Sequence, residues 1–161
     1  MGVSKIDHED RGVLARLLCG YRWAALATIN ADGTAEASQV AYAYEPSKSR
    51  WLMHLSMLAK HTRNLIERPQ CKLVITDPDD EREDPQTLAR IALEGMASVV
   101  EPEGAAHAEV RAAYLSRLPM AEPRFDFGDF RLLTVDVSSA QYVGGFARAH
   151  RLNAQALRDL F

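Results

Sequence analysis

Short runs of β-type residues, separated by turn signals, recur along this 161-residue chain and limit what it can fold into more than any other feature. Trp23 to Ile29 is the first run, Asn30-Ala31-Asp32-Gly33 is a strong turn signal, and Thr34 to Tyr44 resumes with alternation at Ser38, Val40, Tyr42 and Tyr44. Glu45-Pro46-Ser47-Lys48-Ser49 turns the chain into a third run, Arg50 to Leu55, completing an antiparallel meander. Cys71 to Thr76, Ala89 to Val100, Phe130 to Val137 and Gln141 to Val143 follow. The open edges of such a meander demand partners, so roughly five to seven strands in one connected pattern favour a small antiparallel barrel decorated by helices. The class is mainly β with helices (α+β).

Helical spacing interrupts the strands at a few places. Val13, Leu14, Leu17 and Leu18 predict a helix over about residues 7–19, stopped by Gly20. Ser56 is placed to cap a helix from Met57 to Glu67, Glu103 to Leu118 forms another, and a short one is expected over about 153–161. Asp77 to Pro85 reads as a solvated, proline-punctuated connection. Nothing marks a linker, so residues 1–161 are expected to form a single domain, a length that buries roughly 70% of the unfolded surface.

Charge narrows the function classes. Lys plus Arg is 19 against 22 Asp plus Glu, a net charge of −3, which advertises neither nucleic acid nor an acidic membrane as partner. No run approaches the length of a membrane span, and Met1 to Asp7 has no apolar signal core, so a cytoplasmic protein is expected. Cys19 and Cys71 lie among apolar residues and read as buried thiols rather than a disulfide or metal pair.

Two segments carry candidate chemistry. In His54-Leu55-Ser56-Met57-Leu58-Ala59-Lys60-His61-Thr62-Arg63-Asn64-Leu65 a strand feeds a helix whose free N–H groups, hydroxyls and cations suit an anion such as phosphate. The alternative for Lys60 and Arg63 is a solvated basic face with Arg63 paired to Glu67. In Tyr142-Val143-Gly144-Gly145-Phe146-Ala147-Arg148-Ala149-His150 two glycines permit close backbone approach to a ligand and an Arg-x-His pair follows; a turn with ordinary surface side chains is the alternative. The aromatics of Asp126-Phe127-Gly128-Asp129-Phe130 read as core anchors, and His8 and His107 as surface residues. No Ser-His-Asp set, paired carboxylates or metal triad has convincing spacing.

The order of these pieces, from Trp23–Ile29 and Ser38-Gln39-Val40 through Leu55–Leu65, Arg90-Ile91-Ala92-Leu93-Glu94-Gly95 and Asp129-Phe130 to Tyr142–Phe146, resembles the pyridoxamine 5'-phosphate oxidase-like FMN-binding split-barrel superfamily, especially its HugZ/HutZ haem-utilisation branch. The resemblance implies a homodimer with FMN at the interface. Ser38, Gln39 and Val40 would flank the flavin ring, Ser56, Lys60, His61 and Thr62 would surround its phosphate, and Tyr142, Arg148 and His150 would hold cofactor or substrate places, Arg148 and His150 as the catalytic candidates. Two departures count against true pyridoxamine phosphate oxidation: Ala43 stands where the oxidase has a lysine for the substrate phosphate, and Leu152 where it has a basic FMN contact. The resemblance therefore implies an FMN-dependent oxidoreductase with a small-molecule substrate. The alternatives are a haem-binding or haem-degrading protein, or a non-catalytic binding protein. Haem-utilising relatives ligate iron with a histidine on a C-terminal extension; Phe161 ends this sequence, so no counterpart is expected, while Asp129 matches an acidic residue of those relatives and His150 is a substitute ligand.

Overall fold

The computed structural model describes residues 6–161, so Met1 to Lys5 and most of the segment read above for a signal core lie outside the described residues. Helix α1 (His8–Ala15) starts on Asp7, whose carboxylate accepts from the Asp10 N–H at 2.8 Å. The predicted helix over 7–19 is shorter than expected: from Arg16 to Gly20 the chain widens into a π-turn, which leaves Leu14, Leu17 and Leu18 all fully buried. Strands β1 (Trp23–Ile29) and β2 (Ala35–Ala41) then form the expected hairpin, pairing Ile29 with Ala35 and Trp23 with Ala41. Gly33, at φ +83°, makes its turn.

Strands β3 (Ala43–Glu45), β4 (Arg50–Ser56), β5 (Gln70–Thr76), β6 (Arg90–Val100), β7 (Phe130–Gly145) and β8 (Arg148–Asn153) complete an antiparallel sheet of order β2-β1-β5-β6-β7-β4-β3, with β8 on β7. Its two end strands, β2 and β3, are separated in sequence only by Tyr42, so one continuous segment links the two ends of the sheet and curls it into a barrel. Trp51, Met53, Leu73, Ile91, Leu93, Leu133 and Val135 fill the interior with the α1 leucines. A second core, Leu52, Val110, Tyr114, Ala121 and Leu132, lies where α3 (His107–Arg117) and the 3-10 segment Pro119–Asp126 cover the outer side of β3 and β4. Where β6 bulges against β7 at Gly95, a Cβ would lie 2.5 Å from the Asp136 carbonyl oxygen, so only glycine fits.

Other boundaries differ from the sequence reading as well: α3 begins at His107 rather than Glu103, because Gly104 N–H turns back to the Glu101 carbonyl. Helix α2 runs from Lys60 to Glu67, not from Met57, because Met57-Leu58-Ala59 form a turn with Ala59 extended. Ser56 does not cap the helix; its hydroxyl accepts from the Leu58 N–H within that turn. The runs Phe130–Val137 and Gln141–Val143 are one strand, since β6 pairs along almost all of β7, and the Arg-x-His segment is a strand as well, hairpinned back as β8 before α4 (Ala154–Arg158).

Candidate functional site

The turn from β4 into α2 is built as a potential anion site. The Met57 N–H donates to the Asp129 carbonyl at 2.7 Å, and the helix's own bonding begins with Arg63 N–H to Ala59, so the N–H groups of Lys60, His61 and Thr62 have no acceptor within the helix. Thr62 is fully buried and its Oγ1 has no partner. The surrounding charges are nevertheless already matched. Ser56 Oγ donates to the Asp129 carboxylate, and Lys60 Nζ lies 2.7 Å from Glu36 on β2. The Lys60 contact, with a bond from Asn30, holds the Glu36 carboxyl below its ordinary range. Arg63 does not pair with Glu67; its guanidinium donates to the Met57 and Leu58 carbonyls at 3.0 and 2.7 Å and ties the turn down. Burial pushes the half-buried His61 imidazole down toward its neutral form. Two of the protein's own carboxylates thus stand at two of the four side chains expected to surround the phosphate, Ser56 and Lys60.

β2 divides the three residues expected beside a flavin ring. Val40 points into the core, Ser38 faces the same side with its Oγ buried and unpartnered, and Gln39 faces outward. The outward face bears Trp23 (60% exposed), Ala25, Ala27 and Ile29 from β1 and Ala35, Ala37 and Ala41 from β2, an apolar surface of mostly small side chains. At one end it becomes a groove of about 950 Å³, walled by Leu118, Met120 and Tyr114 and rimmed by Arg22 and Arg124. Tyr21, also in its lining, donates to Asp77 at 2.8 Å; burial and that bond raise its pKa, so it stays a phenol. Sequence reasoning missed this groove. Its one local signal was the run of alanines at outward-facing positions, where a solvated strand normally carries polar side chains.

Tyr142, Arg148 and His150 do come together, but around Asp10. This carboxylate on α1 is 2% exposed; Tyr142 Oη donates to its Oδ1 at 2.8 Å, and His150 Nε2 lies 3.3 Å from its Oδ2. Arg148 is 3.6 Å from the same carboxylate, pairs with Glu9 at 2.7 Å, and donates to the Gly144 carbonyl at 3.0 Å. A Cβ on Gly144 would lie 2.4 Å from the Tyr142 hydroxyl, which explains the first glycine. Burial, then the Asp10 bond, pushes the Tyr142 phenol far up. The cluster clamps α1 to the β7–β8 hairpin. It is also remote along the sheet from the α2 turn: Ser56 pairs with Phe130 at the start of β7, whereas Tyr142 is near its end, up to about 40 Å along the strand path.

The CREG β-barrel family model matches residues 6–157. The chain belongs to that family. This CREG-type barrel is 35% identical over 144 residues to the non-canonical heme oxygenase HOZ of Arabidopsis thaliana, covering 88% of this chain but 41% of that relative, so it spans about two-fifths of the relative's length. It is 24% identical to heme oxygenase HutZ of Vibrio cholerae over 83% of this chain and 76% of that one. Among solved structures, a heme binding protein from Mycobacterium smegmatis superposes with TM-score 0.80 at 28% identity, covering 99% of this chain and 62% of that one. A pyridoxinephosphate oxidase family protein from Clostridium acetobutylicum shares the fold, with TM-score 0.70 at 12% identity over 94% of this chain and 99% of that one. The split-barrel fold and the haem-utilisation resemblance read from the sequence are therefore correct.

Proposed function

We propose that this CREG-type barrel binds haem and serves its oxidative breakdown, as a dimer whose copies meet on the β1–β2 face. The observation that carries this reading is the groove on that face, apolar on its walls and rimmed by Arg22 and Arg124, in a chain 35% identical to a haem oxygenase. Trp23, Ala25, Ala41 and Val74 offer an apolar floor for a flat macrocycle. The two guanidinium groups suit its propionate carboxylates. Met120, 85% exposed at the rim, would be the groove's soft donor for iron; among the described residues its lining holds no imidazole. Bound haem would supply the iron that activates dioxygen, while the protein orients the ring and sheds water from it. The exposed Trp23 and alanine face is an apolar surface that a second copy would cover, which supports the dimer reading and would enclose the groove.

A flavin reading keeps one specific support: the buried, unpartnered hydroxyls of Ser38 and Thr62, on β2 and α2. In that reading Ser38, Gln39 and Val40 flank the ring of FMN and Ser56, Lys60, His61 and Thr62 hold its phosphate. Tyr142, Arg148 and His150 then come from the partner, because one chain holds them at the opposite end of β7. A small-molecule oxidoreductase would result. It ranks second because Glu36 and Asp129 already engage Lys60 and Ser56. Haem added to the purified protein should give a saturable Soret band, and Arg124→Ala should weaken that binding about tenfold, the low end for a charged hydrogen bond at an exposed rim. Saturable FMN binding without a haem complex would reverse the ranking.

A further inference from the structure

A second cavity, of about 240 Å³, opens between β4, β7, α3 and the end of the 3-10 segment, and no role described so far uses it. His54 lies at its base, 8% exposed, its ring stacked on Phe125 with centroids 3.8 Å apart and planes 6° off parallel. Phe130 stands 5.0 Å from the same imidazole, and the Arg111 guanidinium is 4.8 Å from the centre of the Phe125 ring. The sequence reading took His107 for a surface residue and Phe127 and Phe130 for core anchors. Instead all three line this cavity, and Phe127 is 55% exposed.

Two buried polar atoms here have no partner: His54 Nδ1 and Arg111 Nε. An unmet buried polar atom costs roughly 1–3 kcal/mol, and both belong to residues that line the cavity, so a small turn of either side chain toward an occupant would relieve that cost. The balance of charge gives its sign. Arg111 and Arg131 line the space against a single lining carboxylate, Asp126; Arg131 also donates to the Gly128 and Phe130 carbonyls, and Glu122 reaches Arg111 only at 3.9 Å from outside. Burial, then the charges of Arg124, His107 and Arg111, lower the His54 pKa to about 4, so its imidazole is neutral near pH 7 and has one N–H to give. The size sets a second bound, since about 240 Å³ at about 30 Å³ per water holds roughly eight water-sized atoms, the size class of a small aromatic acid.

We propose that this cavity binds a small monocarboxylate with a flat apolar body, the carboxylate toward Arg111, Arg131 and His54 and the body against Phe127 and Phe130. The site is independent of the haem reading, although the same 3-10 segment supplies Arg124 to the groove and Phe125 to this cavity.

The test is a titration of the 161-residue protein with benzoate, followed by the imidazole NMR signals of His54 and His107. The expected result is a saturable shift of both signals with a dissociation constant of order 1 mM or tighter, weakened at least fivefold in Arg111→Gln. Arg111 has a side chain 39% exposed, so that variant should keep its fold; an unchanged melting temperature checks this, and Arg131→Gln is the second variant. Absence of a saturable His54 shift at about 20 mM benzoate, or equal binding by wild type and both variants, would overturn the proposal. Acetate shifting His54 as strongly as benzoate at equal concentration would overturn the apolar half of the site.

Discussion

Replacing Asp10 with alanine should cost the fold about 3 kcal/mol. The carboxylate is 2% exposed and accepts from Tyr142 Oη at 2.8 Å, with His150 Nε2 at 3.3 Å. A hydrogen bond to a charged acceptor contributes about 1.5–3 kcal/mol, and its loss strands a buried phenol hydroxyl. Relief from burying the carboxylate offsets part of this, which places the total at the lower edge of the range for breaking a buried pair from one side. For a chain of this length that corresponds to a melting temperature lower by about 6–12 °C. Urea denaturation should show the midpoint falling with an unchanged slope. Asp10→Asn keeps an acceptor for Tyr142 and should cost about 1 kcal/mol, and Tyr142→Phe about 1.5 kcal/mol. In a double-mutant cycle, Asp10→Ala and Tyr142→Phe should couple by about 1 kcal/mol or more. A loss below about 0.5 kcal/mol for Asp10→Ala, or strict additivity in the cycle, would refute the clamp.

Other expectations follow from single contacts. His54, with its pKa depressed to about 4, binds fewer protons folded than unfolded between pH 6.5 and 4. Its contribution is therefore complete above about pH 6.5 and lost as pH falls toward 4, by at most about 1.4 kcal/mol per unit. His54→Phe should flatten that part of a stability-versus-pH curve from urea melts, and an unchanged curve would contradict it. Gly95→Ala should destabilise by about 1–3 kcal/mol, because its Cβ would press on the β7 backbone at the bulge; a wild-type melting temperature would refute the close approach. If the proposed dimer forms on the β1–β2 face, Trp23→Glu should turn it into a monomer by light scattering without unfolding it. A persistent dimer would place the interface elsewhere.

The sequence disclosed the parts of this molecule that depend on local chemistry. The β1–β2 hairpin was legible because Asn30 to Gly33 dictates a turn between alternating runs, and the succession of β4 and α2 because a strand meets a helix there, although the Met57–Ala59 turn between them was read as helix. β8 was missed, since Gly144-Gly145 looked like a terminus to the strand. In fact Gly145, at φ +143°, and Ala147, at φ +59°, reverse the chain tightly enough for Arg148 to Asn153 to pair back. What the sequence hid was long-range. Asp10 lies 132 residues from Tyr142, and an acidic residue in a first helical turn looks like an ordinary dipole partner. Lys60 had two apparent roles, anion binding and solvated cation, and the structure adds a third by placing Glu36 beside it from a strand far back in the chain. The groove draws on segments about a hundred residues apart, Tyr21 to Ala25 and Leu118 to Arg124, neither with a motif.

The most direct test of the haem assignment is a paired titration of one protein sample with haem and with FMN, read by visible absorption and by flavin fluorescence. Saturable haem binding at about one per chain, with FMN fluorescence unchanged at the same concentrations, is the expected result. Saturable quenching of FMN, with haem absorbance indistinguishable from haem in buffer, would contradict it.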